Sequence, residues 1–227
     1  MCVCLIVTAF VGCSKANEDN LKFSSTDIIS DKEQFAINNN IYTIGETTLQ
    51  KMIDDGVTSS SDEYLNSVVS PDSPSKELFV LGDNDTSLNS VALTFYNNTT
   101  DELNIKDCVI QQVDYTVYSN ASKKHKSKPV VQFNFPYSIT ESNLKIAVGE
   151  PDDYQETSSL HKYEYNKIIS NDNSLKYTFF FDLDGNLARI IIKNVILVDV
   201  TADIADDSQT TENDFYEEDQ PELELDF

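Results

Sequence analysis

The chain of 227 residues contains no tryptophan, two histidines, six glycines and six prolines. Arginine occurs once, as Arg189. Two histidines without a paired cysteine motif do not supply the three or four ligands of a zinc centre, and no Ser-His-Asp arrangement can be assembled. Few glycines leave little material for phosphate-binding loops. The abundance of Asn, Ile, Lys and Tyr beside this single arginine indicates a low-GC bacterial source.

Positive charge is also scarce, since 16 basic residues face 39 acidic ones and the formal net charge is −23. So acidic a chain is repelled by nucleic acid and by anionic lipid headgroups. We therefore expect no nucleic-acid partner. A covalent anchor would be needed to hold the chain at a membrane surface.

Such an anchor is indicated at the N-terminus. Residues 3–11 are almost wholly apolar but too few to span a bilayer, which takes about 20 residues. They suit the apolar core of a secretory signal peptide. The segment Phe10-Val11-Gly12-Cys13 resembles the lipobox of bacterial lipoproteins. The resemblance implies that residues 1–12 are removed, that Cys13 is lipidated (typically with palmitate), and that the mature chain stays at the extracytoplasmic face of the cell membrane.

Composition divides the rest of the chain. Residues 13–33 are polar and predict a lipid-anchored tether. Residues 34–122 and 130–202 each contain strand patterns and one short helix. Residues 123–129 form a basic linker, and residues 203–227, with eleven acidic residues, predict a disordered acidic tail.

The two central segments show the same order of elements. In the first, a strand pair interrupted by Asn38-Asn39-Asn40 precedes a helix with Thr47 and Gln50 at capping-box spacing, ended by Gly56. In the second, a strand precedes a helix from Thr140 to Gly149. About three antiparallel strands follow each helix. The prediction is an α+β fold of two consecutive units, each a short helix packed on an antiparallel sheet.

Short motifs carry a resemblance over roughly residues 35–195. Gly149-Glu150-Pro151-Asp152, Tyr163-Glu164-Tyr165 and Phe179 to Ile190 resemble a repeat of the β-lactamase inhibitor protein and of small outer-membrane assembly lipoproteins. The first half, through Ile44 to Leu49, Gly56 and Ile105 to Val109, is similar to uncharacterised lipoproteins of low-GC bacteria. The resemblance implies a non-enzymatic binding or assembly role, and it carries no catalytic residues or cofactor.

Candidate binding residues are few. His161, Tyr163 and Tyr165 share strand parity and would face one way, as a binding patch or as an ordinary exposed sheet face. The only basic cluster, formed by Lys123, Lys124, Lys126 and Lys128, could bind teichoic acid, phospholipid headgroups or an acidic partner, or it could simply be solvated.

Two other motifs favour structural roles. The segment Asp182-Leu183-Asp184-Gly185-Asn186 has the look of a calcium loop but fails the EF-hand spacing, so a β-turn is the better interpretation. Cys108 lacks an electropositive setting and favours a buried structural cysteine. No metal ligands are predicted.

Two functions remain open. The first is a membrane-anchored lipoprotein that binds another envelope protein without catalysis. The alternative is a secreted enzyme or enzyme accessory that acts on cell-wall glycans through paired carboxylates.

Overall fold

The structure is a computed structural model that describes residues 21–59, 62–81, 90–117 and 131–196. Antiparallel β-sheet dominates it. All of these residues belong to one compact unit. Within them the strands form three sheets of nine, three and two strands. The predicted α+β fold of two helix-on-sheet units is wrong, because strands from the two halves of the chain pair with each other in shared sheets.

Fourteen strands and two α-helices lie in the described ranges. The strands of the first half are β1 Gln34–Ile37, β2 Asn40–Thr43, β3 Thr58–Ser59, β4 Val68–Val69, β5 Ser73–Pro74, β6 Leu78–Leu81, β7 Ser90–Asn97, β8 Leu103–Asn104 and β9 Val109–Thr116. The strands of the second half are β10 Val131–Phe133, β11 Asp153–Glu156, β12 Leu160–Ser170, β13 Asn173–Asp182 and β14 Leu187–Ile196. The helices are α1 Leu49–Asp54 and α2 Glu141–Val148.

The large sheet has the order β11-β12-β13-β14-β9-β7-β6-β3, with β5 also paired to β7. Its centre joins the halves, because β14 pairs with β9 through Ile190↔Tyr115 and Ile192↔Val113. Arg189 reinforces this junction, since its Nε donates to Asp114 Oδ1 at 2.8 Å and its Nη2 bonds Asp114 Oδ2. A continuous sheet therefore runs from the first half into the second.

The three-stranded sheet has the order β10-β1-β2, so it also mixes the halves. The hairpin β1–β2 is the predicted strand pair, and its turn residues Asn38 and Asn39 have φ values of 51° and 65°. Two central residues with positive φ make the type I′ turn that suits the right-handed twist of hairpin strands. The strand predicted to open the second unit, β10, instead pairs with β1 through Phe35↔Phe133.

One apolar core fills the space beneath these sheets. It contains Phe35 and Ile37 of β1, Phe95 of β7, and Tyr177 and Phe179 of β13, all fully buried. Phe135, which follows β10, meets Phe179 with ring centroids 5.8 Å apart. Each such side chain contributes roughly 1.5–3 kcal/mol on burial, so the core stabilises both halves together.

Strand β14 has one buried face and one partly open face. Ile190 and Ile192 are fully buried, whereas Ile191 between them is only half-buried. Arg189 and Lys193 share the parity of Ile191, so this face remains polar and partly open. Only one face of β14 is therefore completely covered within the described residues.

Both helices begin and end at the residues their sequences favour, with one shift. Thr48 rather than Thr47 caps α1, since the Thr48 hydroxyl oxygen accepts from Lys51 N. Thr140 caps α2 by accepting from Asn143 N, and the predicted C-cap Gly149 has φ 100° and ψ −163°. Gly56 after α1 also has the predicted positive φ, 86°. Among the described residues, no helix is long and apolar enough to cross a membrane.

The last residues of the predicted tether belong to the folded unit. Ile28 and Ile29 pack against the core, and Ser30 N donates to the Tyr177 hydroxyl at 3.1 Å. Lys167 at the end of β12 forms an ion pair with Asp31 at 3.0 Å. Residues 28–31 therefore belong to the folded unit and not to the predicted tether. Residues 13–20, the basic linker and the acidic tail lie outside the described residues.

Candidate binding site at the edge strand β11

The predicted group His161, Tyr163 and Tyr165 lies on one face of β12, as strand parity requires. This face is covered by α2, so Tyr163 and Tyr165 are buried and do not form an exposed patch. Only their hydroxyl groups reach polar partners, which are Glu141 for Tyr163 and the Gly149 carbonyl for Tyr165. The other predicted residues, Cys13 and the lysines at 123, 124, 126 and 128, lie outside the described residues.

Glu141, the first residue of α2, is the centre of a polar cluster at this face. Its Oε2 lies 2.8 Å from His161 Nδ1, and its Oε1 accepts a hydrogen bond from the Tyr163 hydroxyl at 2.5 Å. Lys145, one helical turn later, lies 3.4 Å from the same Oε1. Burial opposes ionisation of Glu141, but the hydrogen bonds from Tyr163 and His161 outweigh it, so its pKa is lowered. An ionised Glu141 accepts from both neighbours, which places the Nδ1 proton of His161 toward it.

Local geometry explains why Glu141 points here. Thr140 caps α2, and Glu141 N donates to the Gly185 carbonyl in the β13–β14 turn at 3.1 Å. That contact fixes the first turn of α2 against the end of β13. The predicted turn at Asp182 is thus part of the site's support, since Asp182 Oδ1 accepts from Asp184 N and Asn186 N.

Tyr154 of β11 brings an aromatic face to the surface of the cluster. It is 44% exposed, and its ring lies 4.9 Å from that of Tyr163 and 6.2 Å from that of His161. The Lys145 ammonium lies 4.8 Å from the Tyr163 ring centroid and 5.8 Å from that of Tyr154. The result is a small aromatic surface with a cation beside it.

The strand that carries Tyr154 was not predicted. All four residues of β11 are exposed, so it lacks the alternation of buried and exposed positions that marks a half-buried strand. Its pairing with β12 through Tyr154↔Tyr163 and Glu156↔His161 is a tertiary feature. The available sequence signal was only its place after Pro151, which cannot continue a helix.

The outer side of β11 is an open sheet edge. Among the described residues β11 pairs with β12 alone. Thr157 N donates to the Leu160 carbonyl at 2.9 Å, so these two residues form a hydrogen-bonded pair. Along an antiparallel ladder, hydrogen-bonded pairs alternate with pairs that are not hydrogen-bonded. The amides of Asp153 and Gln155 therefore face β12, whereas the backbone groups of Tyr154 and Glu156 point away from the sheet.

Negative charge surrounds this edge. Residues 150–156 carry four carboxylates, those of Glu150, Asp152, Asp153 and Glu156, and no basic residue. Glu156 Oε1 lies 3.9 Å from His161 Nε2, while its Oε2 accepts from the Tyr154 hydroxyl at 3.2 Å. Both ring nitrogens of His161 thus face carboxylates rather than a nucleophile. The arrangement suits binding of a cation better than nucleophilic catalysis.

A second concave feature lies at the other end of β13. A cavity of about 170 Å³ is lined by Gly45, Gln111, Asn173, Asn194 and Asp172 among other residues. The Oδ1 atoms of Asn173 and Asn194 are buried without a hydrogen-bond partner. The lining contains one carboxylate, Asp172, so this described cavity does not present the paired carboxylates of a glycoside hydrolase.

The remaining candidate residues are structural in their surroundings. Cys108 is fully buried at the end of a 3-10 helix over Ile105–Asp107, and its Sγ lies 3.6 Å from the Asn104 carbonyl oxygen. Burial, and secondarily Asp107, raise the pKa of this thiol. No group of three or more potential metal-ligating side chains occurs within the described ranges.

Comparison with known proteins adds little. The chain matches no protein-family model, and no curated protein matches it. Among solved structures it is similar to a DUF4309 family protein, YjgB of Bacillus subtilis, at 13% identity and a TM-score of 0.28. That match covers 50% of this chain and 67% of YjgB, and so weak a likeness carries no conclusion here.

Proposed function

We propose that this chain is a membrane-anchored, extracytoplasmic binding protein without catalytic activity of its own. It docks a basic, extended segment of another envelope protein along β11. The observation that carries the proposal is the open, acidic edge of β11, with Tyr154 exposed beside it. An extended segment that joins a sheet edge gains main-chain hydrogen bonds, and its side chains give specificity.

The charge of the edge decides the chemistry of the partner. The edge carries four carboxylates, which repel an acidic segment and attract Lys or Arg side chains: Glu150, Asp152, Asp153 and Glu156. Tyr154 adds a ring face on which the stem of a Lys or the guanidinium of an Arg can pack. The partner segment is therefore extended, basic and able to form a strand.

A peptide measurement tests this edge directly. An eight-residue peptide of alternating lysine and threonine should bind the full chain in a fluorescence anisotropy titration, and the affinity should fall as salt rises. A matched peptide of alternating glutamate and threonine should not bind. Equal binding of the two peptides would contradict the proposal.

Two substitutions at Glu156 separate strand pairing from simple charge attraction. Glu156→Pro removes the backbone N–H that points outward and the carboxylate together. Glu156→Gln removes only the charge and should weaken binding about two- to fivefold, as for an exposed ion pair. Glu156→Pro should weaken peptide binding at least about tenfold more than Glu156→Gln does, since outward hydrogen bonds are also lost. Unchanged hydrogen-exchange protection at Gln155 would show that β11 itself persists, and equal losses in the two variants would exclude strand addition.

The anchor is tested separately. Cys13→Ala should move the protein from the membrane fraction to the soluble fraction, because Cys13 is the proposed lipid attachment site. Membrane association that survives this substitution would place the anchor elsewhere. Cys108→Ala is the matched control, since this thiol is fully buried and is not the proposed lipid attachment site.

A further inference from the structure

The tip of the β12–β13 hairpin exposes two adjacent isoleucines. Ile168 is 74% exposed and Ile169 is 37% exposed. Residues 168–171, Ile-Ile-Ser-Asn, carry no charge although the chain as a whole has a net charge of −23. The two adjacent isoleucines form a small apolar surface at the end of the hairpin.

A β-bulge explains the exposure. Ile168 pairs with Ser174 and Ser170 pairs with Asn173, which leaves Ile169 as the extra residue between the two pairs. A bulge bends its strand and re-aims the side chains beside it. The turn beyond is closed by Asp172 N, which donates to Ser170 Oγ at 3.3 Å. The two isoleucines are therefore held at the tip by backbone geometry.

Residues 30 and 31 of the N-terminal segment lie beside this hairpin. Lys167, next to Ile168, pairs with Asp31, and the Tyr177 hydroxyl of β13 accepts a hydrogen bond from Ser30 N. The first described residue, Leu21, is eight residues after Cys13. Eight residues span at most about 29 Å in any conformation, so a lipid on Cys13 keeps the start of the folded unit close to the bilayer.

We infer that the Ile168–Ile169 tip inserts into the interfacial layer of the membrane that holds Cys13. This inference rests on the proposed lipid anchor. The bilayer is the apolar phase that the anchor brings within reach of the tip. Anionic headgroups repel an acidic surface, so among the described residues an uncharged apolar tip suits this contact better than the carboxylate-rich edge of β11.

Insertion at this tip would orient the candidate binding site. His161 and Ser170 stand near opposite ends of β12, nine residues apart and therefore about 30 Å at strand spacing. β11 pairs with the end of β12 that contains His161. With the tip in the membrane, the acidic edge of β11 faces away from the lipid and toward a partner.

The absence of tryptophan from the chain allows a clean fluorescence test. Ile168→Trp places a single reporter at the tip. Leu183→Trp places the matched reporter in the β13–β14 turn, where Leu183 is 61% exposed at the opposite end of β13. Both full-length, lipidated variants are reconstituted in phosphatidylcholine vesicles that carry brominated acyl chains.

The tryptophan at position 168 should shift its emission to the blue and lose about half of its intensity to the bromines, since interfacial groups enter by about 5–10 Å. The tryptophan at position 183 should keep its emission. Vesicle flotation is recorded in parallel. Flotation of both variants without quenching at position 168 would overturn the insertion alone. Failure of both to float would overturn the lipid anchor, and the insertion with it.

A second pair of variants tests whether the isoleucines drive insertion. A reporter in place of Asn171 should be quenched when Ile168 and Ile169 are present. The same reporter should escape quenching when both isoleucines are replaced by serine. Quenching that persists with the serines would overturn the role of the isoleucines.

Discussion

Tyr177 donates a hydrogen bond of 2.9 Å to Glu33, although 144 residues separate them in the chain. Glu33 is fully buried, and Ser30 Oγ donates to the same carboxylate oxygen at 3.1 Å. The other oxygen, Oε1, has no hydrogen-bond partner. Burial raises the pKa of Glu33 from 4.5 to about 8, although the hydrogen bonds from Tyr177 and Ser30 oppose the shift. The N-terminal segment is thus held to β13 by a carboxyl group that is protonated at neutral pH.

Stability should fall as pH rises because of Glu33. Between the unfolded pKa of 4.5 and the folded pKa of about 8, the folded state holds a proton that the unfolded state has released. The contribution of Glu33 to the free energy of unfolding is therefore fully present below pH 4.5 and is lost as pH rises through 8. The expected slope approaches about 1.4 kcal/mol per pH unit in that window.

Urea unfolding from pH 5 to pH 9 measures this dependence. Glu33→Gln keeps the shape of the side chain without a titrating proton and should flatten the profile. Glu63→Gln, at an exposed position, should leave the profile as in wild type. A wild-type profile that is flat, or that rises toward pH 8, would contradict a protonated Glu33.

The Tyr163 hydroxyl should matter more at neutral than at acid pH. Tyr163→Phe removes a donor to the Glu141 carboxylate and should cost about 1.5–3 kcal/mol at pH 7. The lowered pKa of Glu141 means that this stabilisation is present above pH 4.5 and is lost as pH falls through the folded pKa. The difference between the variant and wild type should therefore shrink at pH 3.

Tyr165→Phe is the matched control for this pH dependence. The Tyr165 hydroxyl donates to the Gly149 carbonyl, an uncharged acceptor, at 3.2 Å. Its removal should cost about 0.5–1.5 kcal/mol without a comparable change between pH 7 and pH 3. Chemical denaturation at both pH values provides the measurement. A Tyr163→Phe cost that is the same at both would show that Glu141 is not its charged partner.

Sequence alone predicted the features that depend on neighbouring residues. Asn38 and Asn39 form the predicted hairpin turn, Thr140 and Gly149 bound the predicted α2, and Gly185 lies in the predicted turn. Each depends on the conformational preference of one or two residues, which acts wherever the segment lies in the fold. Strand parity likewise placed His161, Tyr163 and Tyr165 on one face of β12.

The pairing of strands could not be predicted in this way. A strand of alternating apolar and polar residues, such as β10, can bury its apolar face beside many different strands. Its pairing with β1 therefore depends on the packing of the whole core. The repeated order of elements predicts two units because local patterns carry no information on strand pairing between the halves. Glu33 is an extreme case, since a glutamate in a polar segment gives no local indication that it will be fully buried.

The candidate site shows the same division. His161 and Tyr163 were singled out by parity, whereas Glu141, Lys145 and Tyr154 were not. These three join the cluster only because α2 and β11 pack on and beside β12. The exposed face expected from the sequence is instead the surface on which α2 rests, and the free edge lies one strand further out.

The ion pair between Arg189 and Asp114 should couple the two halves of the large sheet. Asp114 is 9% exposed, and Arg189 engages both of its oxygens while its guanidinium lies 5.5 Å from the Phe180 ring centroid. Arg189→Met leaves a mostly buried carboxylate unpaired and should cost about 1–3 kcal/mol. Arg189→Lys should cost less, because the charge remains but the bidentate geometry is lost.

The double variant Arg189→Met with Asp114→Asn isolates the coupling. Asn carries no charge to leave unpaired, so the double variant should be more stable than the sum of the single losses predicts. Free energies of unfolding from denaturant titrations of all four proteins complete the cycle. Strict additivity would mean that the pair makes no energetic connection between β9 and β14.

The glycine at position 149 should be required for its backbone conformation alone. Its φ of 100° and ψ of −163° lie in a region that L-residues other than glycine essentially do not occupy. A Cβ built there meets no heavy atom within 4 Å, so sterics with the surroundings add nothing. Gly149→Ala should cost about 1–3 kcal/mol. Gly149→Asn should give no relief, because asparagine favours the left-handed helical region and not this one.

The mirror-image residue provides the decisive comparison. D-alanine introduced at position 149 by peptide ligation has the inverted steric preference and should be tolerated, or should stabilise by restricting the unfolded chain. Glu150→Ala, at the next and exposed position, should change stability by less than about 0.5 kcal/mol. Urea titrations with an unchanged slope report all four variants on one scale. Equal losses for L- and D-alanine would show that some contact of Gly149, rather than its backbone conformation, limits the position.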